Sequence, residues 1–251
     1  MRGLRRLVAI SLAVLATQQG ACMDHVMHGR SAGEVFSDPG VAELARAACA
    51  GVPDRVAAAV AAGADPNAAG LEGTTPLIWA VDCQSPAGAA ALLRAGANPN
   101  YVWSGHVTPT FMAATRKNSA VLEVLLQHGG DPNTHDSDGD SVLMGALTLG
   151  VTEDYWDNYN LLLRHGADIN LPDGAGLTIA DNAAVLYRYD KVAELLEMGY
   201  RGDLTRLGRL IQGGIVNPDS PQGVWERRVR TTLEQRGVHF PIPPLPATSP
   251  E

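Results

Sequence analysis

Gly63-Ala64-Asp65-Pro66-Asn67 returns as Gly96-Ala97-Asn98-Pro99-Asn100, as Gly129-Gly130-Asp131-Pro132-Asn133 and as Gly166-Ala167-Asp168-Ile169-Asn170. The first two steps are 33 residues and the third is 37. A second landmark moves with it: Thr75-Pro76-Leu77, Thr108-Pro109-Thr110, Ser141-Val142-Leu143 and Thr178-Ile179-Ala180. Two landmarks at one period predict stacked units, each too small to bury its own apolar face. Thr-Pro opens a helix, because Pro tolerates the first turn and the Thr hydroxyl caps free N–H groups. First helices are therefore expected to start near Thr75, Thr108, Ser141 and Thr178. Second helices carry aliphatic residues at turn spacing, as in Val121, Val124 and Leu125 or Val192, Leu195 and Leu196, and end at the repeat Gly. The Asp and Asn that follow begin a hairpin-like finger, where their side chains bond nearby backbone.

This pattern resembles the ankyrin repeat over residues 41–200. The resemblance implies an all-α solenoid of about five repeats, the first and fifth weaker, with short fingers and an inner surface of fingers and first helices. The fourth repeat carries four extra residues, 151–154, just before Tyr155, Trp156 and Tyr159. Such an insertion is expected as an edge loop on the binding side. After residue 200 the finger landmark is lost. Leu204, Leu207, Leu210 and Ile211, then Trp225, Val229 and Leu233, predict two helices capping the stack at 201–239, stopped by Arg236-Gly237. Residues 240–251 read as a Pro-rich tail that starts along the cap through Phe240 and Ile242.

Upstream of the repeats, Arg2, Arg5 and Arg6 precede an uncharged run at 7–16, the layout of an export signal rather than a membrane span. Gly20-Ala21-Cys22 resembles the lipobox of bacterial lipoproteins, in which the Cys is acylated, although Gln19 stands where an aliphatic residue is usual. A signal over 1–22, lipidation of Cys22 and a membrane-anchored periplasmic protein are the expectation, with a soluble product cut after Ala16 or Ala21 as the alternative. Arg5-Arg6 lacks the flanks of a twin-arginine signal. Residues 23–38 read as a tether, and His25 and His28 within it make only half of a metal site.

The chain has 251 residues, 45% hydrophobic and 5% aromatic, enough to bury a continuous core among closely stacked helices. Its formal charge of −8 argues against a nucleic-acid partner held by phosphate neutralisation. Asp136-Ser137-Asp138-Gly139-Asp140 resembles the start of a calcium loop, but Leu147 stands where the bidentate Glu belongs, and the run occupies a finger tip. Neither a Gly-x-Ser-x-Gly elbow nor a Cys with a His partner in a pocket-forming context is present, and His128 and His165 fit the negative ends of second helices. No enzyme activity, cofactor or metal is expected. Cys49 and Cys83 fall near the ends of neighbouring first helices. Equivalent points in adjacent repeats are about 10 Å apart, so two free buried thiols are expected, although export permits a disulfide.

The resemblance also implies where a partner binds. Finger candidates are Leu71, Glu72, Thr74, Trp103, Ser104, His106, Val107, Ser137, Asp138 and Asp140. First-helix candidates are Trp79, Asp82, Thr115, Arg116, Thr148, Tyr187 and Arg188, with Tyr155 and Trp156 added by the insertion. Trp103 has two readings, an interface anchor or a ring folded onto the adjacent finger. Trp79 reads as half-buried between first helices. The expected function is a monomeric, non-catalytic protein-binding module outside the cytoplasm. The layout, including the ending from Trp225 to Pro241, is similar to exported ankyrin proteins encoded beside secreted antibacterial effectors such as lipases, which would make it an immunity protein. Alternatives are a chaperone-like factor supporting a periplasmic enzyme, for example in oxidative defence, and a hydrolase on a repeat scaffold.

Overall fold

The computed structural model describes residue 27 and residues 29–243. The segment read as an export signal, with Cys22, the His25 and His28 pair, and residues 244–251 lie outside the described residues. Thirteen α-helices and no β-strand beyond two isolated bridges occur among the described residues. After α1 (Ala32–Val35) come five helical hairpins: α2 (Pro39–Cys49) with α3 (Pro53–Ala61), α4 (Pro76–Asp82) with α5 (Pro86–Arg94), α6 (Pro109–Ala114) with α7 (Ser119–Gln127), α8 (Val142–Glu153) with α9 (Asp157–Arg164), and α10 (Ile179–Val185) with α11 (Tyr189–Glu197). A sixth pair, α12 (Leu204–Gln212) and α13 (Pro221–Gln235), closes the end.

The landmarks perform the tasks their chemistry dictates. Thr75, Thr108 and Ser141 are N-caps whose hydroxyls accept from the N–H groups of Ile78, Phe111 and Met144, and Thr178 forms a capping box with Asp181. At the other end, Gly63, Gly96, Gly129, Gly166 and Gly199 all take positive φ. The residue after each donates its N–H to a carbonyl five residues back, as in Ala97 to Leu92 at 3.0 Å, which closes the helix in a Schellman motif. First helices then stack α2 on α4 on α6 on α8 on α10 on α12, giving one continuous core. The cap is as expected: α12 turns Leu207 and Ile211 inward, α13 turns in Val229 and Leu233, and Ile242 lies buried beside Gly208, where a Cβ would sit 2.6 Å from its Cδ1.

Close stacking sets a strict size limit at Gly88 in α5, where a Cβ would fall 1.8 Å from the carbonyl oxygen of Ala48 at the end of α2. Gly88→Ala is expected to push these repeats apart and cost about 1–3 kcal/mol or more, although alanine favours helix. Urea unfolding checks this; an unchanged or raised midpoint contradicts the packing.

Three expectations are corrected. Residues 29–38 are not a free tether. Met27, Ala32, Val35 and Phe36 are buried, α1 packs on α2, and the Phe36 ring meets Trp79 edge-on at 6.0 Å. The strap supplies the cover that a preceding repeat would give, and Gly70 permits it, since a Cβ there would lie 2.5 Å from the Val35 carbonyl. The four inserted residues form no edge loop either. They extend α8 to twelve residues, against seven in α4, and the extension ends at Asp154 in the left-handed region. Four residues are close to one helical turn, so the insertion lengthens the rod without rotating its apolar face.

The third correction concerns the thiols, because Cys49 and Cys83 form a disulfide with their Cα atoms 5.3 Å apart. Their separation of 34 is one more than the period. Cys83 therefore stands about 100° of helical turn beyond the point equivalent to Cys49, which aims it back at α2 from the C-cap of α4.

Candidate functional site

The fingers project from the N-terminal ends of the first helices and are fastened to one another at two levels. At their base runs an asparagine ladder. Asn67 donates through Nδ2 to the Gly96 carbonyl at 2.9 Å and accepts on Oδ1 from the Asn98 N–H at 2.8 Å. Asn100 repeats both bonds with Gly129 and Asp131, Asn133 accepts from Asp168, and Asn170 accepts from Arg201. The sequence showed these asparagines as turn formers, but their reach into the next repeat needs the stacked geometry.

At the tips, Trp103 Nε1 donates to the Glu72 carbonyl at 3.0 Å, the Ser137 N–H to the Gly105 carbonyl at 2.7 Å, and the Gly174 N–H to the Gly139 carbonyl at 2.9 Å. A Cβ on Gly139, whose φ is +83, would lie 2.5 Å from the Gly174 Cα, so glycine is what allows these two tips to touch. The four tips therefore form one continuous, prefastened ridge.

Of the finger candidates, Leu71, Glu72, Ser104, His106, Ser137 and Asp138 are exposed on this ridge, and Val107 and Asp140 are partly so. Glu72 is ion-paired with Arg30 of the strap at 3.0 Å. Thr74 is buried and unavailable to a partner. Trp103 is half-buried with its Nε1 on the adjacent finger, which settles its geometry as the folded-back reading. Trp103→Ala is expected to cost about 1–2 kcal/mol of stability, measured by thermal unfolding, through the lost hydrogen bond and ring packing. A change within about 0.3 kcal/mol would contradict that contact. Val102, 56% exposed, was missed. The run Tyr101-Val102-Trp103, three bulky side chains in a finger, was the available signal.

The inner helices offer less surface than expected. Every residue of α6, and of α4 up to Val81, is buried, and Trp79 is 1% exposed rather than half-buried. Asp82 and Arg116 pair with each other at 2.6 Å across the ends of α4 and α6, while the Thr115 hydroxyl bonds back to Phe111 and Met112. Thr148 on α8 is partly exposed, and Tyr187 after α10 is exposed.

The insertion aromatics are structural wedges. The Tyr155 hydroxyl accepts from the Ser119 N–H at the start of α7, and the Trp156 ring lies over Gly150, where a Cβ would be 2.5 Å from the ring. Arg188 and Lys191 sit 4.3 and 4.8 Å from the Trp156 centroid, and Arg188 also grips Asp190 through two hydrogen bonds. Tyr155, Trp156 and Arg188 thus join α9 to its neighbours while staying partly exposed.

The calcium-like run resolves as finger architecture. Asp136 Oδ1 accepts from the N–H groups of Asp138 and Asp140, both at 3.0 Å, and Asp173 Oδ1 does the same for Ala175 and Leu177 one finger on. Among the described residues no group of three or more His, Cys, Asp or Glu is disposed to hold a metal ion, and no helix is long and apolar enough to cross a membrane. Burial, followed by the charges of Asp136, Asp173 and Asp138, pushes the Asp140 carboxyl above the usual aspartate range. A raised carboxyl pKa destabilises the folded state at neutral pH, and the penalty vanishes as pH falls below the ordinary aspartate value. Asp140→Asn is therefore expected to raise stability at pH 7 by about a few tenths of a kcal/mol, the gain disappearing toward pH 3, as followed by unfolding midpoints. A loss at pH 7 would contradict the repulsion.

Helical hairpins stacked at one period, with fingers bonded tip to tip, define an all-α repeat solenoid. The family model described as Ankyrin repeat matches residues 72–103, one period running from the finger tip before α4 through α4 and α5 to Trp103. No curated protein matches the chain. Ankyrin repeats indicate a protein–protein interaction module, and proteins built from them are generally non-catalytic.

Proposed function

We propose that this chain is a non-catalytic module that acts outside the cytoplasm, anchored to a membrane through Cys22, and that grips a partner protein with its finger ridge and the flanking part of the inner helices. The observation that carries the reading is the ridge itself, a row of exposed side chains held rigid by bonds between successive fingers, so that little ordering entropy is lost on binding. The Cys49–Cys83 disulfide supports the reading, because disulfides persist in oxidising compartments outside the cytoplasm. Within this class the layout is similar to exported proteins that neutralise secreted antibacterial effectors, and a lipase-directed immunity protein is the finer reading.

Fractionation of the wild type and of Cys22→Ser tests the location. The wild type should be found with membranes on the outer side of the cytoplasmic membrane, and the variant should be exported but released. Cytoplasmic wild-type protein, or a variant that stays with membranes, overturns this part of the reading. Neutralisation is tested on the captured partner: a partner with lipase activity should lose ester hydrolysis on binding, and unchanged hydrolysis overturns that role.

A further inference from the structure

We propose that the ridge docks a cationic protein segment, with an apolar side chain of the segment on Leu71 and Val102 and its Lys and Arg side chains along Asp138 and Asp140. The inference rests on the binding-module reading and adds the chemistry of the partner. Leu71 and Val102 are 47% and 56% exposed on the fingers before α4 and α6, two apolar side chains that the solenoid leaves uncovered. Hydrogen bonds between tips join these fingers to those before α8 and α10, which carry Asp136, Asp138, Asp140 and Asp173.

Residues 128–178 hold nine acids and one arginine, and four of those acids, Asp136, Asp138, Asp140 and Asp173, stand in the two neighbouring finger tips before α8 and α10. Among the described residues none of the four finger aspartates is in an ion pair, whereas acids elsewhere, such as Asp82, Asp181 and Glu197, have arginine partners. Asp136 and Asp173 each spend a carboxylate oxygen on their own finger's N–H groups, while Asp138 is exposed and Asp140 partly exposed beside them. A field of one sign beside exposed apolar side chains steers an oppositely charged segment and repels polyanions, including nucleic acid and anionic lipid.

The probe is a fluorescein-labelled lysine-rich peptide with one leucine near an end, titrated by anisotropy at low ionic strength against the full mature protein. Asp138→Asn with Asp140→Asn should weaken binding about five- to tenfold, whereas Glu123→Gln with Asp157→Asn, which removes as much charge from the outer helices α7 and α9, should change it less than about twofold. Leu71→Ser with Val102→Ser should weaken this peptide but not its leucine-free counterpart. Equal losses from the two charge variants, or equal binding of a glutamate-rich peptide or of anionic phosphatidylglycerol vesicles, overturn the proposal. Circular dichroism of each variant confirms the fold. If the probe fails but photo-crosslinkers at Val102 and Ser137 still capture one partner, the partner's chemistry is wrong and the module reading stands. If both fail, both fall.

Discussion

Trp79→Ala is expected to cost about 3–5 kcal/mol of folding stability, the range for truncating a fully buried large aromatic. The ring is 1% exposed and covered by Phe36 from the strap, so its loss opens a void where the strap, α2 and α4 meet. A domain's total stability is of order 5–15 kcal/mol, so the change is a large part of it. Chemical denaturation measures it. Phe36→Ala should act in the same direction, since it removes the other half of the contact. A Trp79 variant that unfolds like the wild type, but binds its partner poorly, would return Trp79 to the interface and contradict the packing.

Removing the disulfide is the second large effect. Replacing Cys49 and Cys83 together by Ser should lower stability by about 3–4 kcal/mol, because the unfolded chain regains the freedom of a loop closed over a separation of 34 residues. The effect should be concentrated at the N-terminal end. The outer helix α3 of the first repeat buries Val56 alone, so that repeat depends on its bond to α4 and on the strap more than the inner repeats depend on any single contact. Hydrogen exchange after reduction should therefore quicken over residues 29–61 before it quickens over 109–197. Uniform quickening along the chain, or none, would contradict this account.

What could be read from the sequence follows from how local each cause is. The capping hydroxyls of Thr75, Thr108 and Ser141, the prolines beside them and the glycines that end second helices act within a few residues of chain, so spacing alone placed these helices and the cap. The strap was hidden because Val35 and Phe36 are too few to show a period, and their value appears only where Trp79 and Gly70 lie opposite. The insertion was misplaced because four extra residues are nearly one helical turn, a coincidence that a loop-based rule does not anticipate. For the surface, the ridge positions Leu71, Ser104, Ser137 and Asp138 were legible from finger register. The burial of Trp79 and Thr74 was not, because an aromatic on a first helix or a polar side chain in a finger looks alike in sequence whether it faces solvent or the next repeat.

On the proposed reading, partner contact runs along the finger ridge and not over the outer helices. It is tested most directly by placing a photo-crosslinking side chain, one variant at a time, at Val102, Ser137, Arg94 and Glu123, and irradiating intact cells. All four positions are exposed or near the surface, the first two on the ridge and the last two on the outer helices α5 and α7. The account predicts an adduct with the same partner from Val102 and Ser137 and none with it from Arg94 or Glu123. Adducts from the outer positions with the ridge silent would contradict it.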